Sequence, residues 1–115
     1  MSVKNLKLYC VEFNNKRTSD SFQKIGVTSC FDVENRFKKD EYEGWDIHVL
    51  ASAYGPSALV CSMEKLLLKK FPKNLYIPES FSGITETVKL STDERKYVLQ
   101  VIHTKKQQWY NQRQR

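Results

Sequence analysis

Few residues of this sequence stand where a side chain could do chemistry rather than pack or meet water. Glu64 is the most informative. Its helical neighbours at i−4, i−3, i+3 and i+4 are Val60, Cys61, Leu67 and Leu68, all apolar. A carboxylate inside an apolar stripe is costly unless it is paired, hydrogen-bonded or bound to a cation. It therefore either reaches an edge of the stripe, facing water or an ion pair, or it serves a site. Gly26, between Ile25 and Val27 in a β-like run, marks a bulge or a place where a backbone or ligand comes close. Lys24 shares a strand face with Phe22 and Gly26, where a lysine is ordinarily just solvated.

Other chemistries find little footing. Neither His48 nor His103 has a second histidine or a cysteine at metal-ligand spacing, so both read as surface or packing residues. Cys10, Cys30 and Cys61 lie far apart with no Cys-x-x-Cys pair, which suits reduced thiols better than a zinc site or a disulfide framework. The phosphate-binding, dinucleotide, hydrolase-elbow and zinc-protease signatures are all missing.

The elements that must hold these residues follow from periodicity. From Leu6 to Phe13, Tyr9, Val11 and Phe13 alternate with Leu8 and Cys10, the pattern of a strand. The polar stretch from Asn14 to Ser21 reads as a hairpin loop, and Phe22 to Thr28 as the returning strand, which brings Tyr9 and Lys24 close. Ser29 or Asp32 caps a helix carrying Val33, Arg36 and Phe37. A third strand is expected from Trp45 to Tyr54, broken by Gly55 and Pro56. Ser57 to Phe71 is the strongest helix, ended by Pro72. A loop from Lys73 to Leu90 precedes a last helix opened by Ser91 or Thr92, with Asp93 and Glu94 at its positive end.

The chain has 115 residues, 40% hydrophobic and 28% charged, which suits one folded domain with no room for a separate cofactor domain. A net charge of +6 and a pI near 9.3 predict a surface that attracts polyanions, nucleic acid foremost. With no apolar signal core and no long uncharged apolar run, the chain is expected to be cytoplasmic.

Taken in order, Leu8-Tyr9-Cys10, Phe22-Gln23-Lys24-Ile25-Gly26-Val27-Thr28, Arg36, Glu64 and Phe81-Ser82-Gly83-Ile84-Thr85-Glu86 resemble the GIY-YIG endonuclease superfamily. The likeness is to the short phage-type branch with Lys-Ile-Gly in place of Tyr-Ile-Gly. It implies an α+β fold, a small three-stranded, mainly antiparallel sheet flanked by helices. Residues 1–90 would form the nuclease-like part, and 91–115 a C-terminal helix and basic tail of the same domain. The activity implied is divalent-metal-dependent hydrolysis of DNA phosphodiester bonds. Tyr9 would act as or beside the general base, and Lys24 would stabilise its phenolate. Arg36 would hold a phosphate oxygen, and Glu64 would be the sole protein ligand of Mg²⁺ or Mn²⁺. Gly26 and Thr28 would admit the substrate backbone.

The sequence departs from the family pattern in three places. Leu8-Tyr9-Cys10 replaces Gly-Ile-Tyr, Asp40 stands near the usual histidine, and Glu86 is the nearest counterpart of a late asparagine. The alternative is a nucleic-acid-binding module of the same fold that does not cut. The tail from Lys105 to Arg115 carries Lys105, Lys106, Trp109 and Tyr110 and reads as a DNA clamp or as a helix end whose cations complement its dipole. A protein-interaction domain would instead use Trp109 and Tyr110 as exposed aromatics.

Overall fold

The computed structural model describes residues 5–29, 33, 44–71, 75–76 and 87–113. Strands β1 (Asn5–Asn15) and β2 (Ser21–Thr28) form the expected hairpin, in a register that sets Phe13 opposite Phe22 and Tyr9 opposite Gly26. The Asn15 side-chain oxygen accepts from the backbone N–H groups of Arg17 and Thr18 at 2.8 and 3.2 Å, which folds the polar loop back on itself. Strand β3 (Trp45–Pro56) pairs antiparallel with the other side of β1. It runs two residues beyond the expected end at Tyr54. Gly55 and Pro56 are still paired, and a proline is tolerated because β3 is an edge strand.

A register shift decides what the two faces of the sheet carry. Cys10 faces Ala51 while Val11 faces Val49, which leaves Leu50 as an extra residue in β3. One inserted residue in a period-two strand reverses the sides of everything beyond it. Trp45, Ile47 and Val49 therefore join Tyr9, Val11, Phe13 and Phe22 on one face, where Val33 packs against them. Ala51 and Ala53 join Leu8, Cys10 and Ile25 on the other. The first face holds a ring cluster, with Phe13 stacked on Phe22 at 4.8 Å and Trp45 edge-on to Phe22 at 5.1 Å.

Helices α1 (Ser57–Lys70) and α2 (Thr92–Arg113) both cover the Leu8–Cys10 face. Helix α1 buries Val60 and Leu67 there, and Lys69 and Lys70 in its last turn complement the helix dipole. Helix α2 begins with a capping box, in which Ser91 Oγ accepts from the Glu94 N–H and Glu94 Oε1 accepts from the Ser91 N–H. Its buried stripe is Val98, Ile102 and Trp109, in the same core as α1. The expected segment 91–115 is thus helix through Arg113.

Two short strands extend the sheet beyond the three that were expected. β5 (Thr87–Val88) pairs with Gln23 and Lys24 on the outer side of β2, and β4 (Leu75–Tyr76) pairs with β5, giving the order β3-β1-β2-β5-β4. A two-residue strand has no alternation to read, so only the neighbouring edge of β2 reveals it. The architecture is α+β with an antiparallel sheet. Among the described residues no helix is long and apolar enough to cross a membrane.

Candidate functional site

The hairpin brings Tyr9 and Lys24 onto one sheet face, in adjacent strands. Tyr9 is opposite Gly26 and Lys24 opposite Val11, so the two are diagonal neighbours, a spacing long side chains can bridge. Tyr9 is 1% exposed. A Cβ built on Gly26 would lie 2.6 Å from Tyr9 Oη and 2.8 Å from its Cζ. The close approach anticipated at Gly26 is therefore made by the Tyr9 phenol, which occupies the space the missing side chain leaves. Thr28, on the same face and opposite Lys7, is buried.

Glu64 is not brought to this face. It lies on α1 between Val60 and Leu67, which pack with Leu8, Cys10 and Ile25 on the opposite side of the sheet. The part of α1 that carries it thus lies across the sheet from the Tyr9 ring. Arg36, Asp40 and Glu86 lie outside the described residues. Among the described residues no group of three or more His, Cys, Asp and Glu side chains could hold a metal ion.

The helix-covered face carries a polar network that sequence reasoning missed. Glu12 Oε1 accepts from Arg95 Nη1 at 2.7 Å and from Gln23 Nε2 at 3.0 Å. Gln23, itself buried, accepts from the Leu90 N–H at 2.8 Å. These bonds tie β1 and β2 to the entry of α2. The sequence signal was Glu12 at the parity of Leu8 and Cys10, an acid on a core face. Nearby, burial pushes the Cys10 thiol up to about 12, with the Glu12 carboxylate adding to the rise and Arg95 opposing it. Cys10 is thus held as an inert thiol.

Among the described residues, both flanks of α2 carry side chains that could meet a ligand. His103, Lys106, Gln107 and Tyr110 are spaced i, i+3, i+4 and i+7, one stripe of the helix. They line a cleft of about 650 Å³ with Lys7 of β1 and Ser52 and Tyr54 of β3. On the other flank, Tyr97, Val101 and Lys105 meet Met63, Leu66, Lys69 and Lys70 of α1 in a shallower groove. Lys70 Nζ stands 4.9 Å above the Tyr97 ring there. Among the described residues neither hollow is lined by a carboxylate. Of the sequence-predicted residues, Lys105 and Lys106 thus fall on opposite flanks of one helix. Trp109 is corrected: it is 3% exposed and packed against Gly55, where an added Cβ would lie 2.6 Å from Trp109 Cδ2. It serves neither as a stacking platform nor as an exposed interaction residue. Tyr110, at 49% exposed, remains at the surface.

No family model matches the chain, and neither a curated protein nor a solved structure matches it.

Proposed function

We propose that this chain binds DNA, gripping the phosphate backbone across the C-terminal half of α2. The observation that carries this reading is the band formed by Lys7 and Lys106 in one hollow and Lys69, Lys70 and Lys105 in the other. On a chain of net charge +6, such a band is an electrostatic footprint for a polyanion. Each lysine that meets a phosphate releases condensed counterions, so binding should weaken steeply with salt. Five lysines on duplex phosphates correspond to a slope of log affinity against log salt of up to about −4.5. Replacing Lys69, Lys70, Lys105 and Lys106 by glutamine should remove most of that slope while leaving the fold intact. Fluorescence anisotropy of a labelled duplex over a range of salt measures it. No binding at low salt, or an unchanged slope in the variant, overturns the reading.

A second reading is favoured by one observation, the shared face of Tyr9 and Lys24. In a GIY-YIG-like nuclease the lysine ammonium would favour the phenolate of Tyr9, which would take a proton from the attacking water. Arg36 would then hold the phosphate. The position of Glu64 on α1, across the sheet, gives no support to its role as the ligand of Mg²⁺ in that reaction. Incubation with supercoiled plasmid in Mg²⁺, in Mn²⁺ and in EDTA separates the two readings. Metal-dependent nicking that Tyr9→Phe and Lys24→Met each abolish establishes the nuclease. Binding without nicking leaves the DNA-binding module.

A further inference from the structure

The cleft beside α2 differs from the rest of the basic band in what else it holds. Its lining carries Lys7, Ser52 and Tyr54 from the sheet and His103, Lys106, Gln107 and Tyr110 from the helix. Two tyrosines and two ammonium groups lining one cleft are more than a phosphate needs. A phosphate is satisfied by cations and N–H donors alone, whereas rings offer stacking to a flat, uncharged π-face. Within a duplex the faces of the bases are already stacked on one another, so only an unpaired base can use such rings. A volume of about 650 Å³ lies within the range of small-ligand clefts, and a nucleotide is a ligand of that size class.

The register locates the cleft further. Tyr54 is opposite Lys7 and Ser52 opposite Tyr9, so the sheet part of the lining belongs to the face that carries Tyr9, and the cleft reaches α2 around the β3 edge of the sheet. Beyond the cleft, Lys105, Lys69 and Lys70 continue the positive charge over α2. A free mononucleotide would leave those lysines unused; a continuous strand would not.

We infer that this cleft takes an unpaired nucleotide of a DNA strand, its base stacked against Tyr110 and Tyr54 and its phosphate held by Lys7 and Lys106. The inference rests on the DNA-binding reading and adds single-strand character to it.

Tyr110 is the residue to change, because it is half exposed and its loss leaves the core intact. Anisotropy is measured with a labelled oligo(dT) and with a duplex of equal length, for the wild type and Tyr110→Ala. Loss of one stacking partner should weaken oligo(dT) binding about ten-fold and leave duplex binding nearly unchanged. The salt slope for oligo(dT) should stay the same, because no cation is removed. An abasic strand should bind the wild type at least as weakly as oligo(dT) binds the variant, because it loses both stacking partners. An equal loss for strand and duplex, or no loss for either, overturns the inference while DNA binding stands. Displacement of oligo(dT) by free dTMP at comparable concentration would also overturn it, assigning the cleft to a mononucleotide. If neither probe binds at low salt, the DNA-binding reading fails as well.

Discussion

Gly26→Ala tests the packing at the Tyr9–Lys24 face. Gly26 does not have a positive φ, so its backbone alone would accept alanine. The obstacle is Tyr9. The new methyl carbon would lie 2.6 Å from Oη, 2.8 Å from Cζ and 3.4 Å from Cε1, so the two nearest atoms stand well inside ordinary van der Waals contact. Tyr9 is buried among Val11, Phe13 and Phe22 and has no open space to swing into. Overpacking of this kind costs about 1–3 kcal/mol, against which the stiffer unfolded chain returns roughly 0.4–1 kcal/mol. The net destabilisation should be about 1–2 kcal/mol, or roughly 4–10 °C in Tm for a domain of this size. Thermal melts followed by circular dichroism read it directly.

Tyr9→Phe removes the nearest atom but leaves Cζ, so the double variant should recover part of the loss, with a coupling of about 0.5–1 kcal/mol. If Gly26→Ala leaves Tm unchanged, or if the two substitutions are simply additive, the phenol does not occupy the space above Gly26. The glycine would then need another explanation, an approaching ligand included.

Trp109→Ala should destabilise the fold by about 3–5 kcal/mol in urea denaturation, because the indole is buried against Gly55. A loss below ~1 kcal/mol would return the residue to the surface role expected from sequence. Removing the chain beyond Lys106 takes Trp109 with it, and so tests folding rather than DNA binding. Glu12→Ala should cost about 1–3 kcal/mol, since it strands the buried Gln23 amide and half-exposed Arg95; a loss no larger than that of an exposed substitution such as Lys16→Ala would contradict the network.

Cys10 makes stability depend on alkaline pH. Its thiol is raised from 9.0 to about 12 in the fold, so the folded state keeps a proton that the unfolded state releases. The stabilisation is complete below pH 9 and is lost as pH rises towards 12, by up to about 1.4 kcal/mol per unit. Subtracting the pH profile of Cys10→Ala isolates this slope, and identical profiles for the two proteins would sink the assignment.

Much of the fold was legible because local periodicity determines it. The alternation of Tyr9, Val11 and Phe13 with Leu8 and Cys10 is a property of eight consecutive residues, and it survives intact in β1. The 3.6-residue spacing of Val60, Leu67 and Phe71 likewise gave α1 to within a residue of its end. Capping chemistry opened α2 near Ser91, and the hydrogen bonds chose Ser91 over Thr92.

The candidate site was less legible, because periodicity tells which residues share a face but not which faces meet. The sequence placed Glu64 in an apolar stripe; only the docking of α1 on the Leu8–Cys10 face put it across the sheet from Tyr9. The extra residue at Leu50 is invisible in an alternating string, yet it reverses the faces of β3 and so aims Ser52 and Tyr54 towards the cleft. Trp109 looked like part of a solvent-facing tail until Gly55, far back in the chain, gave it a flat surface to pack on. Composition and spacing determined β1, β2, β3, α1, α2 and the positive charge of this protein. The tertiary structure alone decided which of those charges and rings stand together, because that depends on contacts between residues remote in sequence, whose closure no local pattern encodes.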